Sequence, residues 1–187
     1  MEGLKIDWRQ TMQVRCGFVS NSSSSSFVVA FPHKPESVGD LKETMFGKQE
    51  WHYDWISEED VPTLPIVEKV FAKVAKEATS EEVFESIRGG WFEDGYYNQP
   101  GHADYRDDPE YKAIGRDDPN RLEKQQVIWD KYAEVNDGRA KDIAEAFCDV
   151  FKGNYIVVME FSDNAGEEVE EHTNIFSRLE HIRTSYH

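Results

Sequence analysis

The stretch Ser20-Asn21-Ser22-Ser23-Ser24-Ser25-Ser26 sets five consecutive hydroxyl side chains directly before the apolar run Phe27-Val28-Val29-Ala30-Phe31. Serine contributes little to burial, so something other than packing fixes this composition. Three chemistries fit it. The tract is a flexible polar lead-in. Or it is an ordered anion cradle, in which Asn21 turns left-handed, successive backbone N–H groups converge, and Arg15 and Arg183 supply charge. Or one of Ser22, Ser23, Ser24, Ser25 and Ser26 is a nucleophile, which needs a base within about 3 Å and a third group to orient that base. His181 and His187 are the candidate bases and Asp163 the candidate orienting group, although no Gly-x-Ser-x-Gly elbow surrounds any of the serines.

The same C-terminal segment raises the question of a metal. His172, His181 and His187 stand among Glu167, Glu168, Glu170, Glu171 and Glu180, and histidine is the commonest metal ligand. Their spacings of nine and six residues fit no ligand pair on one helix face, so a site would need Asp163 or a neighbouring Glu brought in from elsewhere. Surface histidines among solvating carboxylates are the plainer reading. Cys16 and Cys148 match no metal or redox spacing and read as small buried hydrophobes. Nothing in the sequence names a cofactor.

Two segments combine aromatic and acidic residues: Trp51-His52-Tyr53-Asp54-Trp55 and Trp91-Phe92-Glu93-Asp94-Gly95-Tyr96-Tyr97. Packing is the first explanation for side chains of that size. Where Trp51, Tyr53, Trp55, Trp91, Tyr96 and Tyr97 stay exposed, they form an amphipathic patch of the kind that anchors protein interfaces. Acid beside aromatic also suits a basic peptide.

Charge narrows the partners. Lys and Arg number 21 against 37 Asp and Glu, a net charge of −16 over 187 residues. Such a field repels phosphate backbones and anionic headgroups, so direct nucleic-acid binding over a broad surface is not expected. A basic protein, a cation or simple solubility suits it. No apolar run approaches the roughly 20 residues of a membrane span, and the first ten residues lack a signal-peptide core. The expected location is the cytoplasm.

These residues need a scaffold, and the pattern predicts an α+β fold of one acidic domain over 1–187. A strand at about 26–31, closed by Pro32, pairs with a second at about 154–161 in one small sheet. Between them lie helices: 36–46, ended by Gly47; 64–78, with Val67, Val70, Phe71 and Val74 on one stripe; and one starting at Ser80 and ended by Gly89-Gly90. A Gly-, Asp-, Tyr- and Pro-rich insertion follows at about 90–119, where Arg-Asp-Asp-Pro occurs twice. Asp108-Pro109 and Asp118-Pro119 there read as helix starts. Two further helices, 121–135 and 139–152, are separated by the turn residues Asn136-Asp137-Gly138.

The stretch from Arg15 to Val29 resembles the N-terminal signature of a scattered group of small uncharacterised bacterial and bacteriophage proteins, which open on a near-identical Gly-Phe-Val-Ser-Asn-Ser-rich element. The ending, through His181-Ile182-Arg183 to His187, is similar to theirs; here Tyr186 precedes a single terminal histidine, which speaks against a double-histidine ligand. The resemblance implies no activity, but it joins the two ends as a functional pair. The leading expectation is an accessory or regulatory protein, phage-encoded in one version, that binds a basic protein partner, in one form as a mimic of nucleic acid. A serine–histidine hydrolase or transferase and a C-terminal metal binder are the alternatives. The serine tract is expected to be ordered and packed near the C-terminal segment, with Asp163, Asn164, Arg183 and His187 as hydrogen-bonding candidates.

Overall fold

A computed structural model describes residues 24–54, 58–88, 91–95, 105–162 and 174–186. Its centre is an antiparallel sheet of four strands: β1 (Ser24–Phe31), β4 (Trp91–Gly95), β5 (Tyr155–Ser162) and β6 (Glu180–Tyr186), in the order β4-β6-β1-β5. The fold is α+β, and the expected pairing of the N-terminal with the C-terminal apolar strand is present, Val29 lying opposite Val157 and Phe27 opposite Met159. β1 starts two residues earlier than the sequence indicates, because the ladder continues through Ser24↔Ser162 and Ser25↔Phe161. Its other side is taken by β6, Val28 facing Ile182.

The apolar runs 27–31 of β1 and 156–159 of β5 follow from packing on both faces. Phe27, Val29, Phe31, Val157, Met159 and Phe161 point to one side and pack with helix α1 (Val38–Phe46), helix α2 (Thr63–Phe71) and the turn carrying Ile175 and Phe176. Val28, Ala30, Ile156 and Ile182 point to the other and pack with helix α3 (Ser80–Ile87) and the C-terminal half of helix α5 (Arg121–Val150). Helices therefore cover the sheet on both sides.

Local chemistry explains the helix ends. Ser37 caps α1 by accepting the Asp40 N–H at 3.1 Å, and Gly47 closes it at φ 61, ψ −127, a conformation that favours glycine. Thr79 and Glu82 form a reciprocal capping box at the start of α3. Asp108 caps the short helix α4 (Pro109–Ala113), with Pro109 at its first position, as the sequence suggests. Asp118 instead accepts the Asn120 N–H at 2.9 Å and shapes a turn, so α5 begins at Arg121.

Three sequence expectations are corrected. Helix 64–78 is shorter: α2 stops at Phe71 and the chain continues in tight turns, held where Val74 C=O accepts from Tyr155 Oη at 3.1 Å and Ala78 N–H donates to Ile156 C=O at 2.8 Å. The two helices 121–135 and 139–152 are one helix of 30 residues, running straight through Asn136-Asp137-Gly138. The insertion at about 90–119 is not wholly irregular, since it contains β4, a 3₁₀ turn at Tyr105–Asp107 and α4. Strand β6 and the hairpin of β2 (Trp51–Asp54) and β3 (Glu59–Pro62) are additions to the sequence reading.

Candidate interaction surface

Of the serine tract, Ser24–Ser26 are strand residues at the centre of the sheet, while Ser22, Ser23, Asn21 and Arg15 lie outside the described residues. Ser25 and Ser26 are buried; Ser25 faces Phe161 and Ser185 across the ladders, and Ser26 faces Glu160 and Thr184. Ser26 Oγ has no hydrogen-bond partner among the described residues. Thr184 Oγ1, beside it on the same face, donates to Ser86 C=O at 3.1 Å. The described half of the tract thus lies against the C-terminal strand, through backbone ladders.

His181 lies opposite Val29, four residues along β6 from Ser185, the partner of Ser25. At strand spacing that separation is about 14 Å. Its Nδ1 sits 2.9 Å from Leu179 C=O and its ring 6.0 Å from that of Phe176, on the side of the sheet opposite to Ser26. The structure therefore does not bring His181 to the described serines. His187, His172 and Asp163 lie outside the described residues. Arg183 is opposite Phe27, with its guanidinium carbon 5.5 Å from that ring's centroid, a cation–π contact within the sheet layer. Among the described residues no group of three or more His, Cys, Asp or Glu is arranged to hold a metal ion. Cys148 is half-buried at the edge of the core under α3 and α5.

The aromatic segments fare differently. Trp51 and Tyr53 share one face of the β2–β3 hairpin, opposite Pro62 and Asp60 respectively, and are 61% and 43% exposed. Leu64, in the first turn of α2 just past β3, is also exposed. The other face of the hairpin is seated on the protein: His52 packs on Phe46 at 5.5 Å between centroids, Val61 joins the core, and Asp54 is buried. Thr63 locks the base, its N–H donating to Glu50 C=O at 3.0 Å and its Oγ1 to Gln49 C=O at 3.1 Å. Carboxylates surround the patch: Glu58, Glu59 and Asp60 are exposed at the turn, and Glu50 pairs with Lys42 at 3.1 Å. Glu58 takes φ 56 there, a left-handed position unusual for a residue with a side chain.

Trp91 lies on β4, whose backbone pairs with β6 opposite Ser185; Trp55, Tyr96 and Tyr97 are outside the described residues. Residue type alone points to Trp51 and Tyr53 and not to Pro62, which lies opposite Trp51. The available signal was period two: Trp51 and Tyr53 on one side of a short acidic turn, Asp60 and Pro62 on the other, which is the pattern of a hairpin with one outward face. Among the described residues no helix is long and apolar enough to cross a membrane. Compared with known protein families, with curated proteins and with solved structures, the chain matches none.

Proposed function

We propose that this chain is an acidic accessory or regulatory protein that acts by binding a basic protein partner through the outward face of the β2–β3 hairpin. One observation carries the reading: Trp51, 61% exposed, stands beside Tyr53 on a hairpin whose opposite face is anchored in the core. An indole held on a fixed support loses little freedom on binding, and Trp and Tyr dominate the energetic centres of interfaces. The surrounding carboxylates and the net charge of −16 favour a basic surface and speed its approach. A partner of that kind suits a cytoplasmic role.

The experiment is capture from bacterial lysate by the full chain and by Trp51→Ala/Tyr53→Ala, each at low and moderate salt. The reading expects a defined basic protein bound by the parent chain, with salt-weakened affinity, and lost by the double variant at a cost of about 2–4 kcal/mol. Retention of that protein by the double variant, or indifference to salt, overturns it. Displacement of the chain from its partner by duplex DNA identifies the nucleic-acid-mimic form.

A further inference from the structure

Among the described residues no strand lies on the outer side of β5, the last strand of the sheet. Its inner side pairs with β1 over eight consecutive residues without a bulge. On its outer side one rung is made among the described residues, Ala78 N–H donating to Ile156 C=O at 2.8 Å, and the chain then turns away into the capping box of α3 at Thr79. That rung fixes which residues face outward. In an antiparallel strand, alternate residues direct both backbone groups to the same side, so Val158 and Glu160, two and four residues beyond Ile156, aim their N–H and C=O groups away from β1. No backbone hydrogen bond from the described residues closes on either. A cleft of 540 Å³ lies along this edge, bounded by Val158, Met159 and Glu160 on one side and by α3 and the segment after α2 on the other.

We infer that this cleft is a second docking site, in which an extended, basic segment of a partner protein adds as a strand to the free edge of β5. Sheet edges are usually protected by a bulge, a proline or a charge. β4, at the opposite edge, has a register shift between Phe92 and Asp94; β5 has neither bulge nor proline and presents only Glu160. The charges select the occupant. Glu77, Glu82, Glu85 and Glu160 line the cleft against Lys73 and Lys76. Lys76 is taken by Glu82, Lys73 Nζ lies 4.9 Å from the centroid of the Phe161 ring, and Glu85 reaches Arg88 at 3.4 Å. Glu77 and Glu160 keep carboxylates with no cation in ion-pair distance among the described residues, and they repel an acidic strand while accepting lysine or arginine. Main-chain hydrogen bonds then hold the segment, and alternate side chains enter the cleft.

The test uses the full chain and a short capped peptide of alternating Lys and Val, with two controls: the same peptide N-methylated at every amide, so that neither edge can donate, and its Glu/Val counterpart. Binding is read by titration and by the shifts of the Val158 and Glu160 amide signals. The Lys/Val peptide is expected to bind and to move those signals. N-methylation on both edges removes the peptide's donors in either register and weakens binding at least about tenfold, as loss of one or two net hydrogen bonds would. Val158→Pro removes an outward N–H at a position where an edge strand tolerates proline, together with the Val158 side chain that packs on the core, and has a similar effect; Glu160→Lys weakens binding further. Trp51→Ala leaves the affinity unchanged, which separates this site from the hairpin patch. If Val158→Pro fails to fold, the methylated peptide on the unaltered chain still decides. No binding by the Lys/Val peptide, equal binding by the methylated or acidic peptide, or shifts confined to the hairpin overturns the inference.

Discussion

The two halves of α5 rest on different supports. The C-terminal half buries Ala140, Ile143, Ala144 and Phe147 under the sheet, against Val83 and Ile87 of α3. The N-terminal half buries only Gln125 and Ile128, and packs on the 3₁₀ turn and α4. There the contacts are aromatic and polar: Tyr105 meets Tyr111 at 5.0 Å and Trp129 at 5.8 Å, Gln125 Nε2 donates to Tyr111 Oη at 3.3 Å, and buried Asp108 accepts from Lys131 Nζ at 3.1 Å. Trp129 Nε1–H is buried with no hydrogen-bond partner among the described residues. Apolar area removed from water is the dominant stabilising term, and polar contacts return little beyond what water gave them. One continuous helix therefore has a strongly held end and a weakly held end, and opening should start at the latter.

The largest expected effect comes from the strong end. Phe147 is fully buried, with its ring 4.8 Å from Phe151. Phe147→Ala should cost about 3–5 kcal/mol in urea unfolding and lower the stability of the whole sheet-centred core. A loss below about 1 kcal/mol would mean that this half is not the better supported one. At the other end Ile128→Ala should cost about 2 kcal/mol, the low end for such a truncation, because a small cluster relaxes more readily around the gap. Its signature is local: amides of 121–135 exchange faster while those of 140–150 keep the parent rates. Uniform acceleration along α5 would show that the halves open together.

Acid should separate the ends next. The Asp108 carboxyl is held below its ordinary range, first by the Glu110 backbone N–H at 2.8 Å and then by Lys131. A carboxyl depressed in the folded state stabilises fully above its unfolded value, near pH 4, and the stabilisation is lost as pH falls through the folded value. Hydrogen exchange between about pH 5 and pH 3 should therefore show protection of α4 and the first turns of α5 falling relative to 140–150. Asp108→Asn should abolish that relative change. Persistence of the same pH dependence in the variant would assign it to other carboxylates.

What the sequence made legible tracks how each element earns its burial. β1 and β5 stand out because two-sided burial leaves continuous apolar runs, and α3 because Thr79, Glu82 and Val83 write a cap and a stripe. β6 was hidden: of Glu180-His181-Ile182-Arg183-Thr184 only Ile182 is apolar, and its polar neighbours read as a histidine-and-charge cluster. Strand identity there comes from the ladder to β1, a contact between the two ends that no local pattern carries. For the interaction surface, residue type pointed to Trp51 and Tyr53, but their exposure is decided by hairpin register, which seats His52 and Val61 inward. The β5 edge was invisible for the same reason, since an outer edge exists only once strand order is known.

The break expected at Asn136-Asp137-Gly138 yields the smallest and most specific prediction, because it asks what local preference was overruled. Asn, Asp and Gly favour turns, and glycine inside a helix costs about 1 kcal/mol relative to alanine. The helix nevertheless continues, with α3 helping to hold it there: Arg88 pairs with Asp137 at 2.8 Å while donating from Nε to the same carboxylate at 3.1 Å. Gly138 lies past that contact, exposed, and a Cβ built on it meets nothing within 4 Å. Alanine there adds no clash and removes only the conformational freedom that glycine gives the unfolded chain. Gly138→Ala should therefore stabilise the protein by about 0.5–1 kcal/mol, raising Tm by about 2 °C for a chain of this size. The same variant should slow exchange most across 130–142, at the junction of the two halves, and leave peptide binding at β5 untouched. Destabilisation instead would mean that the helix needs the flexibility of Gly138 at this junction, and that its two halves are mechanically separate after all.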